Sequence, residues 1–584
     1  MTPKPRSKFQ SGDTPRRYGA EQGNDPIATL AREVGTIRKN HAGKLRIALA
    51  FPNSYFVGMS NLGLQTVYRL FNAHDRVVCE RVFLPPKQEL AARAAKRQPL
   101  VTLESQTPVA DFDIFAFSVS FEWDYTNVVA MLRMAGLKPR AEHRTAHDPL
   151  VIVGGAVTFV NPEPLAPFAD VIAAGEGEVL VPGLLSALAD ADDRPALLRR
   201  LTQERGFYVP SLYDVTYDGP GKIASITPKP GSGAPATVNK AAVKGTEALD
   251  PPATAIFTPD TEFGARFLIE VVRGCANLCR FCWAGYNYLP VRSFPTERIL
   301  ELARAARPYA NRVGLVSIAL CDHPDIEFIL KSLLDMGYGI SPASLRLDDL
   351  TDPIVSLLHQ SGERSITIAP ETGSDRLRRV INKTVTNEQI LEKTDLIFRN
   401  GMDNLKLYYM VGLPTEEPED LVAIRDLTLQ MRDRMMVHSQ GRGSIGRIVA
   451  SVNPLVPKPG TTYQWLPMTD TAVIERKIND LRRLVADVDN VYFNIKSERH
   501  SYYQGLLSLG DRRVADVIEA AERNGGQWRA AVAEVGLDAD AYLYRDRSHD
   551  AFLPWQIIDG GMKESFFRSE VIKSERAEWT LSRG

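Results

Sequence analysis

Three cysteines, Cys275, Cys279 and Cys282, stand close together with the spacing C-x-x-x-C-x-x-C. An apolar run from Phe267 to Val272 precedes them, and the aromatic Phe281 stands directly before the third. Thiolates with this spacing can reach one metal centre from a single loop. Iron–sulfur clusters are normally held by four thiolates. A loop with three therefore predicts a [4Fe–4S] cluster whose fourth iron has no protein ligand and can bind another molecule.

Two other roles are open to these cysteines. A structural zinc ion needs four ligands, and Cys321 or His323 could supply the fourth. A disulfide is not expected, because the chain has only five cysteines, and a sparse, odd set is typical of a reducing compartment. Zinc therefore stays the alternative to the cluster.

The composition is that of an ordinary globular protein. With 584 residues the chain is too long for one hydrophobic core, so roughly two to four domains are expected. Hydrophobic residues make up 44% of the chain and charged residues 24%, as in soluble proteins. No apolar run has the length of a membrane span or the layout of a signal peptide. These features predict a cytoplasmic protein without a membrane span.

The charge distribution singles out the N-terminus. The net charge of −1 does not support nucleic acid or membrane binding by the chain as a whole. The first residues mix Lys and Arg with Pro, Gly and Ser, so we expect residues 1–43 to form a flexible basic arm. Contact of this arm with RNA stays an alternative. We expect ordered structure to begin near Lys44.

Residues 44–205 alternate between apolar strands and helices, which predicts a parallel sheet of the Rossmann type. The strands are continuous apolar runs, as in a sheet covered on both faces. Gly154-Gly155 and Gly175-Glu176 follow the fourth and fifth predicted strands. Ligands bind beyond the carboxyl ends of such strands. These residues are therefore candidates for contact with a cofactor, or else belong to ordinary turns.

The remaining chain divides into three parts. Residues 206–260 are rich in proline and glycine and predict a connector with a short β segment. Residues 261–468 predict six βα units, which form a partial barrel with its chemistry at the carboxyl ends of the strands. Residues 469–584 predict a helical region with one strand near Val491. The barrel strands are predicted at Phe267–Val272, Val313–Ala319, Gly339–Ser344, Ser365–Ala369, Leu405–Val411 and Ile448–Val452.

Polar residues and a glycine follow the later barrel strands. Ser344 and Arg346 come after the third strand, Glu371 after the fourth and Gly412 after the fifth. Groups of these types suit a ligand with an ammonium group, a carboxylate, hydroxyls and an aromatic base. Their ordinary roles are a helix cap for Glu371, a surface ion pair for Arg346 and a turn for Gly412.

The cysteine pattern and its setting resemble the radical S-adenosylmethionine (SAM) superfamily. The resemblance implies that the three cysteines hold a [4Fe–4S] cluster and that its free iron binds SAM. An electron from an external donor of the flavodoxin or ferredoxin type then cleaves SAM to methionine and a 5′-deoxyadenosyl radical.

The same resemblance implies where SAM would be held. It implies SAM contacts for Phe281, Ser344, Arg346, Glu371 and Gly412. The acidic segment that usually follows the second barrel strand is not visible. Leu320-Cys321-Asp322-His323 stands at that position instead, so the group that binds the amino end of SAM is left open.

The segment from Gly154 to Glu178 resembles the cobalamin-binding-type domain that precedes many radical SAM domains. The motif D-x-H-x-x-G, which supplies a histidine to cobalt in some cobalamin proteins, is absent, as it is in many members of this fused class. The resemblance implies cobalamin contacts for Gly154, Gly155, Gly175 and Glu176. The alternative is a degenerate Rossmann-like domain kept for packing or substrate recognition.

These patterns lead to three functional hypotheses. The first is cobalamin-assisted methylation of an unreactive carbon by a radical SAM enzyme. The second is cobalamin-independent hydrogen-atom abstraction on a nucleoside, on RNA or on a small molecule. The third, from another class, is a metal-binding regulatory or scaffold protein. Bound corrinoid would separate the first two, and cleavage of SAM would exclude the third.

Overall fold

The structure is a computed structural model that describes residues 25–343, 345–442, 445–486 and 488–580. It consists of an N-terminal parallel sheet with helices, a partial barrel and a mainly helical C-terminal region. This is the fold class that the sequence predicts. In the described part of the chain, no helix combines the length and the apolar character needed to cross a bilayer.

The N-terminal sheet contains six strands: β1 (Leu45–Phe51), β2 (Val77–Phe83), β3 (Ile114–Ser118), β4 (Leu150–Gly154), β5 (Val171–Ala173) and β6 (Phe207–Tyr208). Their order is β2-β1-β3-β4-β5-β6, and only β6 is antiparallel to its neighbour. Ala48 and Ala50 enter one hydrophobic core while Ile47 and Leu49 enter another, which explains the continuous apolar runs. The order reverses between β1 and β3, the position where ligands bind in such sheets.

Seven helices accompany this sheet: α1 (Pro26–Ala31), α2 (Tyr55–Gly58), α3 (Leu62–Asn72), α4 (Lys87–Ala95), α5 (Tyr125–Met134), α6 (Gly177–Ala189) and α7 (Arg194–Leu201). Asn61 is the N-cap residue of helix α3, and its side chain accepts a hydrogen bond from the amide of Leu64 at 2.8 Å. Helices α3 and α6 pack together on one face of the sheet.

Residues 25–43 belong to the folded domain, so the expectation of a flexible arm is wrong for them. Glu33 forms an ion pair of 2.7 Å with Arg81, and their side chains are 0% and 1% exposed. Lys39 donates hydrogen bonds to three backbone carbonyl groups between Asn72 and Val77. A buried arginine needs charged partners, and this need fixes the segment against the sheet. Residues 1–24 of the expected arm lie outside the described residues.

The connector contains the short β segment that the sequence predicts. Strands β7 (Tyr213–Tyr217) and β8 (Ile223–Pro228) form an antiparallel hairpin. The next strand, β9 (Val238–Asn239), is parallel to a strand near the end of the chain, Ile558–Asp559. The connector therefore holds the C-terminal region against the rest of the molecule.

The partial barrel contains β10 (Phe267–Arg273), β11 (Arg292–Ser293), β12 (Arg312–Ser317), β13 (Gly339–Pro342), β14 (Ser365–Glu371), β15 (Asn404–Val411), β16 (Arg447–Pro454) and β17 (Val491–Ile495). Hydrogen bonds join them into two sheets, β11-β10-β12-β13 and β14-β15-β16-β17. All are parallel except β11. Strand β17 adds a seventh parallel strand to the six that the sequence predicts, because its alternate apolar residues pack into the same core.

The helices that follow cover the outer face of the barrel and build the C-terminal region. They are α8 (Trp283–Asn287), α9 (Thr296–Ala306), α10 (Ile326–Asp335), α11 (Asp352–Gln360), α12 (Asp375–Val380), α13 (Asn387–Arg399), α14 (Pro418–Ser439), α15 (Thr471–Leu484), α16 (Glu498–Leu509), α17 (Val514–Arg523), α18 (Trp528–Val535), α19 (Asp540–Leu543) and α20 (Glu564–Glu575). The strand Ile558–Asp559 that pairs with β9 is β18.

Buried ionic contacts fasten the C-terminal region to the N-terminal sheet. Arg512 donates to Oε2 of Glu163 at 2.7 Å, and the hydroxyl of Tyr208 donates to Oε1 at 2.7 Å. Lys458, from the loop after β16, contacts both Glu122 and Ser508. Each carboxylate is almost fully buried, so each depends on a group from a distant part of the chain.

We expect Arg512→Ala to lower the free energy of unfolding by about 3 kcal/mol, because it leaves the buried Glu163 carboxylate without its cation. Urea unfolding measures the loss. Arg499→Ala is the control, since the Arg499 side chain is 88% exposed; it should change the free energy by less than about 0.5 kcal/mol. Equal losses in the two variants would contradict the role assigned to the ion pair.

Candidate functional site

Strand β10 delivers the cysteine loop to the carboxyl end of the barrel. Gly274 follows the strand with φ +97°, and a Cβ there would lie 2.5 Å from the carbonyl oxygen of Tyr288. Glycine is required for so close an approach. The loop ends where Cys282 becomes the N-cap residue of α8.

The three thiols lie inside the protein. Cys275 and Cys279 are buried, Cys282 is half-buried, and all are free. Burial raises the pKa of the Cys279 thiol to about 12, and the neighbouring Cys282 and Cys275 act in the same direction. The ammonium group of Lys383 opposes them. A cation thus accompanies sulfur atoms that must be thiolates to bind iron, and this donor set fits an iron–sulfur cluster.

Neither Cys321 nor His323 is arranged as a fourth ligand for zinc. Nδ1 of His323 accepts a hydrogen bond from the amide of Asp325 at 3.1 Å, so Nε2 carries the proton and donates to the carbonyl of Phe294 at 2.8 Å. Cys321 packs against the hydrophobic core of the barrel. Within the described residues, no group of three or more His, Cys, Asp or Glu side chains, the three cysteines of the loop included, is placed to hold a single metal ion.

The residue after Cys279 anchors the loop to the end of the chain. Arg280 is 0% exposed. Its Nε donates to Oε2 of Glu570 at 3.1 Å, and its Nη2 donates to the carbonyl of Glu578 at 2.9 Å. Its Nη1 donates to the carbonyl of Val380 at 2.9 Å. Helix α20 and the segment after it therefore support the cysteine loop directly.

A cavity of about 930 Å³ opens beside the loop. Ala276, Asn277 and Leu278 line one side, and Asp322 and Arg346 line another. Oδ1 of Asp322 lies 3.2 Å from Arg346, whereas its Oδ2 is buried and has no hydrogen-bond partner among the described residues. A buried carboxylate oxygen without a donor is costly, which makes Asp322 a candidate partner for an ammonium group of a ligand.

Arg346 faces the cysteine loop but already has partners. Its Nη1 donates to Oδ1 of Asn277 at 2.9 Å, and its Nε donates to Asp349 at 2.6 Å. It is therefore a half-buried link between loop and barrel and not an ordinary surface ion pair. Ser344, predicted beside it, lies outside the described residues.

Glu371 ends β14 close to the thiols. It has φ +66° and lies 3.6 Å from Nζ of Lys383. The cap of the following helix is Ser374, whose hydroxyl accepts from the amide of Leu377, so Glu371 is free of that structural role. Glu371 and Lys383 together place a charge pair at the end of the barrel that carries the cysteine loop.

Phe281 and Gly412 both lie in packed surroundings. Phe281 packs against a small core that includes Leu413 and Leu455. Gly412 has φ +78°, and a Cβ there would lie 2.5 Å from Cδ1 of Ile474. Packing of α15 therefore already explains the glycine.

A second cavity, of about 540 Å³, lies between the N-terminal sheet and the barrel. Its floor is the sheet face at Leu49, Ala116 and Ile152, and helices α3 and α6 form its walls. Val272 and Arg273, which immediately precede the cysteine loop, line its far end. The cysteine loop thus separates the two cavities.

The four residues predicted to contact cobalamin all line this second cavity. A Cβ on Gly155 would lie 2.4 Å from the carbonyl oxygen of Val119, and one on Gly175 would lie 2.1 Å from that of Ala241. These two glycines are therefore required by backbone packing. Gly154 has no such conflict; its nearest neighbour would be at 3.6 Å.

Glu176 joins the N-terminal sheet to the barrel. Its carboxylate accepts hydrogen bonds from Arg292 at 2.7 Å and from the amide of Val243 at 2.8 Å, and it lies 3.2 Å from Arg273. These groups hold the pKa of Glu176 below its usual value, although burial acts in the opposite direction. Glu176 therefore stays charged and fixes the mouth of the cavity.

Sequence reasoning missed three residues of this site. Asp322 had a signal, since an acid after the second barrel strand stands where an ammonium group would be bound. Lys383 and Arg280 had none, because their importance arises from contacts with distant segments.

The comparisons with known proteins identify the family of this chain. Residues 63–210 match the family of radical SAM proteins, N-terminal, and residues 269–428 match the radical SAM superfamily. An uncharacterized protein of Methanocaldococcus jannaschii is 30% identical over 368 residues, which are 62% of this chain and 70% of the relative. The chain belongs to the radical SAM superfamily. It is accordingly an enzyme of the radical SAM class, and SAM and an iron–sulfur cluster are its cofactors.

Two more distant proteins share parts of this radical SAM chain. The tRNA-2-methylthio-N(6)-dimethylallyladenosine synthase of Thermotoga petrophila is 21% identical over 44% of this chain, which spans 55% of that enzyme. The radical SAM methyltransferase TsrM from Kitasatospora setae superposes over 85% of this chain and 99% of its own, with a TM-score of 0.52 and 11% identity. At that identity the likeness concerns the fold alone.

Proposed function

We propose that Cys275, Cys279 and Cys282 hold a [4Fe–4S] cluster whose open iron binds SAM, and that the enzyme uses SAM cleavage for cobalamin-assisted methylation. The observation that carries the proposal is the position of the cysteine loop between two cavities, one of which is lined by Asp322, whose Oδ2 has no hydrogen-bond partner among the described residues. When bound, the cluster supplies the electron that cleaves SAM to methionine and a 5′-deoxyadenosyl radical.

Residues around the first cavity have defined tasks in this proposal. Asp322 accepts a hydrogen bond from the ammonium group of SAM. Arg346 holds Asp322 and the Asn277 side chain in place. Glu371 accepts hydrogen bonds from the hydroxyl groups of the ribose. The ammonium group of Lys383 balances the negative charge of the thiolates. Gly412 and Phe281 keep the wall of the barrel mouth in position by packing.

The second cavity is the proposed cobalamin site. It lies at the carboxyl edge of a parallel sheet with the order 2-1-3-4-5, where nucleotide-like ligands bind. Its lining is mostly apolar, with glycine at 154 facing the space. When bound, cobalamin would carry the methyl group. The TsrM structure of similar fold contains both cobalamin and a [4Fe–4S] cluster.

Cobalamin-independent hydrogen-atom abstraction is the second candidate. It is favoured by the finding that Gly155 and Gly175 are explained by packing against Val119 and Ala241 and need no ligand. Either reaction requires an external electron donor of the flavodoxin or ferredoxin type. The five free cysteines are in keeping with the reducing cytoplasm as the site of both.

Anaerobic reconstitution with iron and sulfide, followed by SAM and dithionite, should yield 5′-deoxyadenosine. We expect Cys279→Ala to abolish the product and to lower iron content, because the cluster loses one of three thiolates. Chromatographic assay of 5′-deoxyadenosine and iron analysis are the measurements. Cys79→Ala, at a buried cysteine of the N-terminal sheet, should keep both. Stoichiometric zinc without any cluster spectrum would overturn the proposal.

We expect Asp322→Asn to weaken SAM binding about tenfold, because an amide oxygen lacks the negative charge that pairs with an ammonium group. Equilibrium dialysis of the reconstituted protein against labelled SAM measures the effect. Iron content should not change. Asp335→Asn, on the exposed face of α10, is the control. A dissociation constant unchanged in Asp322→Asn would remove this residue from the SAM site.

We expect the reconstituted protein to retain hydroxocobalamin after gel filtration, and Ala116→Leu to retain less than about a tenth as much. The larger side chain projects from the sheet into the second cavity. Visible absorbance of the corrinoid is the measurement, with iron content as a check on the fold. Ala533→Leu, on the exposed surface of α18, should retain corrinoid normally. Formation of 5′-deoxyadenosine without retained corrinoid would favour the second candidate.

A further inference from the structure

Strands β14 to β17 have one covered face and one open face. Their outward residues, such as Leu407, Ala450 and Phe493, pack against the helices. The residues between them point the other way, towards the hollow of the partial barrel. There Tyr408 is 45% exposed and Tyr492 is 49% exposed. In closed βα barrels, layers of side chains fill the interior. In this partial barrel the exposed tyrosines show that the inner face of these strands is accessible instead.

The open inner face carries positive charge and aromatic rings. Lys406, Arg447 and Lys496 are exposed on it. Glu371 is the only acidic residue in the four strands, all of which lie in the described part of the chain, and it pairs with Lys383. The chain as a whole has a net charge of −1, but the inner face of these strands carries more cations than anions.

The strand register spaces these groups regularly. Lys406 is aligned with Val449, and Val449 with Tyr492. Tyr408 is aligned with Ser451, one step nearer the cysteine loop. Neighbouring strands are about 4.8 Å apart, and residues two apart on a strand are about 6.8 Å apart. The two tyrosines are therefore separated by roughly 12 Å along a diagonal, with Lys406 beside them.

The same face leads to the proposed reaction centre. Met410 lies two residues beyond Tyr408 on β15, and it packs against the small core that also receives Phe281 from the cysteine loop. Polar amide side chains of Asn453 and Asn494 lie on the neighbouring strands at the same face. A chain molecule on this surface would extend directly towards the cysteine loop.

We propose that the inner face of β14–β17 binds single-stranded nucleic acid and guides one nucleotide to the cluster. Separate cations attract the phosphates, and the exposed tyrosines offer stacking surfaces for the bases. Proteins that bind single strands without reading base edges use this combination. An acidic peptide would use the cations but has no need of two exposed rings. The inference deepens the proposed function by naming its substrate class and rests on it.

Fluorescence anisotropy of the full-length reconstituted protein with labelled single-stranded oligo(U) RNA, in the absence of SAM and reductant, tests this. Tyr408→Ala and Tyr492→Ala should each raise the dissociation constant roughly 5- to 100-fold. Tyr408→Phe and Tyr492→Phe, which keep the ring, should bind within about twofold of the original protein. Lys406→Ala should lower the slope of log affinity against log salt by about 0.7, as for one lost phosphate contact.

Two matched variants serve as controls. Phe328→Ala removes an exposed ring from α10, where the side chain is 62% exposed, and Lys96→Ala removes an exposed cation after α4. Both should leave RNA affinity unchanged. The proposal is overturned if RNA does not bind, if the two Tyr→Ala variants bind normally, or if polyglutamate displaces the RNA with equal affinity. Because SAM cleavage is assayed separately, failure here leaves the radical SAM assignment standing.

Discussion

The fully buried guanidinium group that follows Cys279 in the chain is the constraint on which the site depends. Arg280 is surrounded by Glu570, the carbonyl groups at the end of α12 and the segment that follows α20. Removing one partner of a buried ion pair costs about 3–5 kcal/mol. The cysteine loop can therefore keep its shape only when the last helix is docked. The same logic joins Glu163 to Arg512 and Glu33 to Arg81, so charges far apart in sequence assemble the enzyme around its cysteines.

Local patterns made the scaffold predictable. Continuous apolar runs predict the strands of a parallel N-terminal sheet, which the structure contains, and the cysteine spacing predicts a cluster-binding loop, because both patterns depend on neighbours in sequence. The segment 25–43 was misjudged because the residues before it mix Lys and Arg with Pro, Gly and Ser, whereas its own order comes from burying Glu33 against Arg81. Lys383 was missed for the same reason: its role exists only once β14 and the loop after α12 have met.

The interior of the partial barrel is accessible and not filled by packed side chains. Seven parallel strands leave an edge at β17, and the hydrogen bonds fall into two sheets. Stability then comes from the outer core, where the helices cover the strands. The inner face is released from packing and can hold polar and aromatic residues such as Tyr408 and Lys406. No periodicity in the sequence distinguishes such a face from a filled interior, since both alternate with the covered one.

Glycines at the ends of strands are weak evidence for a ligand, because close packing of the backbone can require the same glycines. Gly155 and Gly175 approach Val119 and Ala241 so closely that any side chain would collide with backbone. Such glycines would be needed in an empty domain as much as in a loaded one. Gly154 is different, because a Cβ there would meet no atom closer than 3.6 Å. Packing does not require glycine at this position, so the adjoining cavity is the remaining reason for a small residue. The case for a cofactor in this domain therefore rests on the shape and apolar lining of the cavity between sheet and barrel.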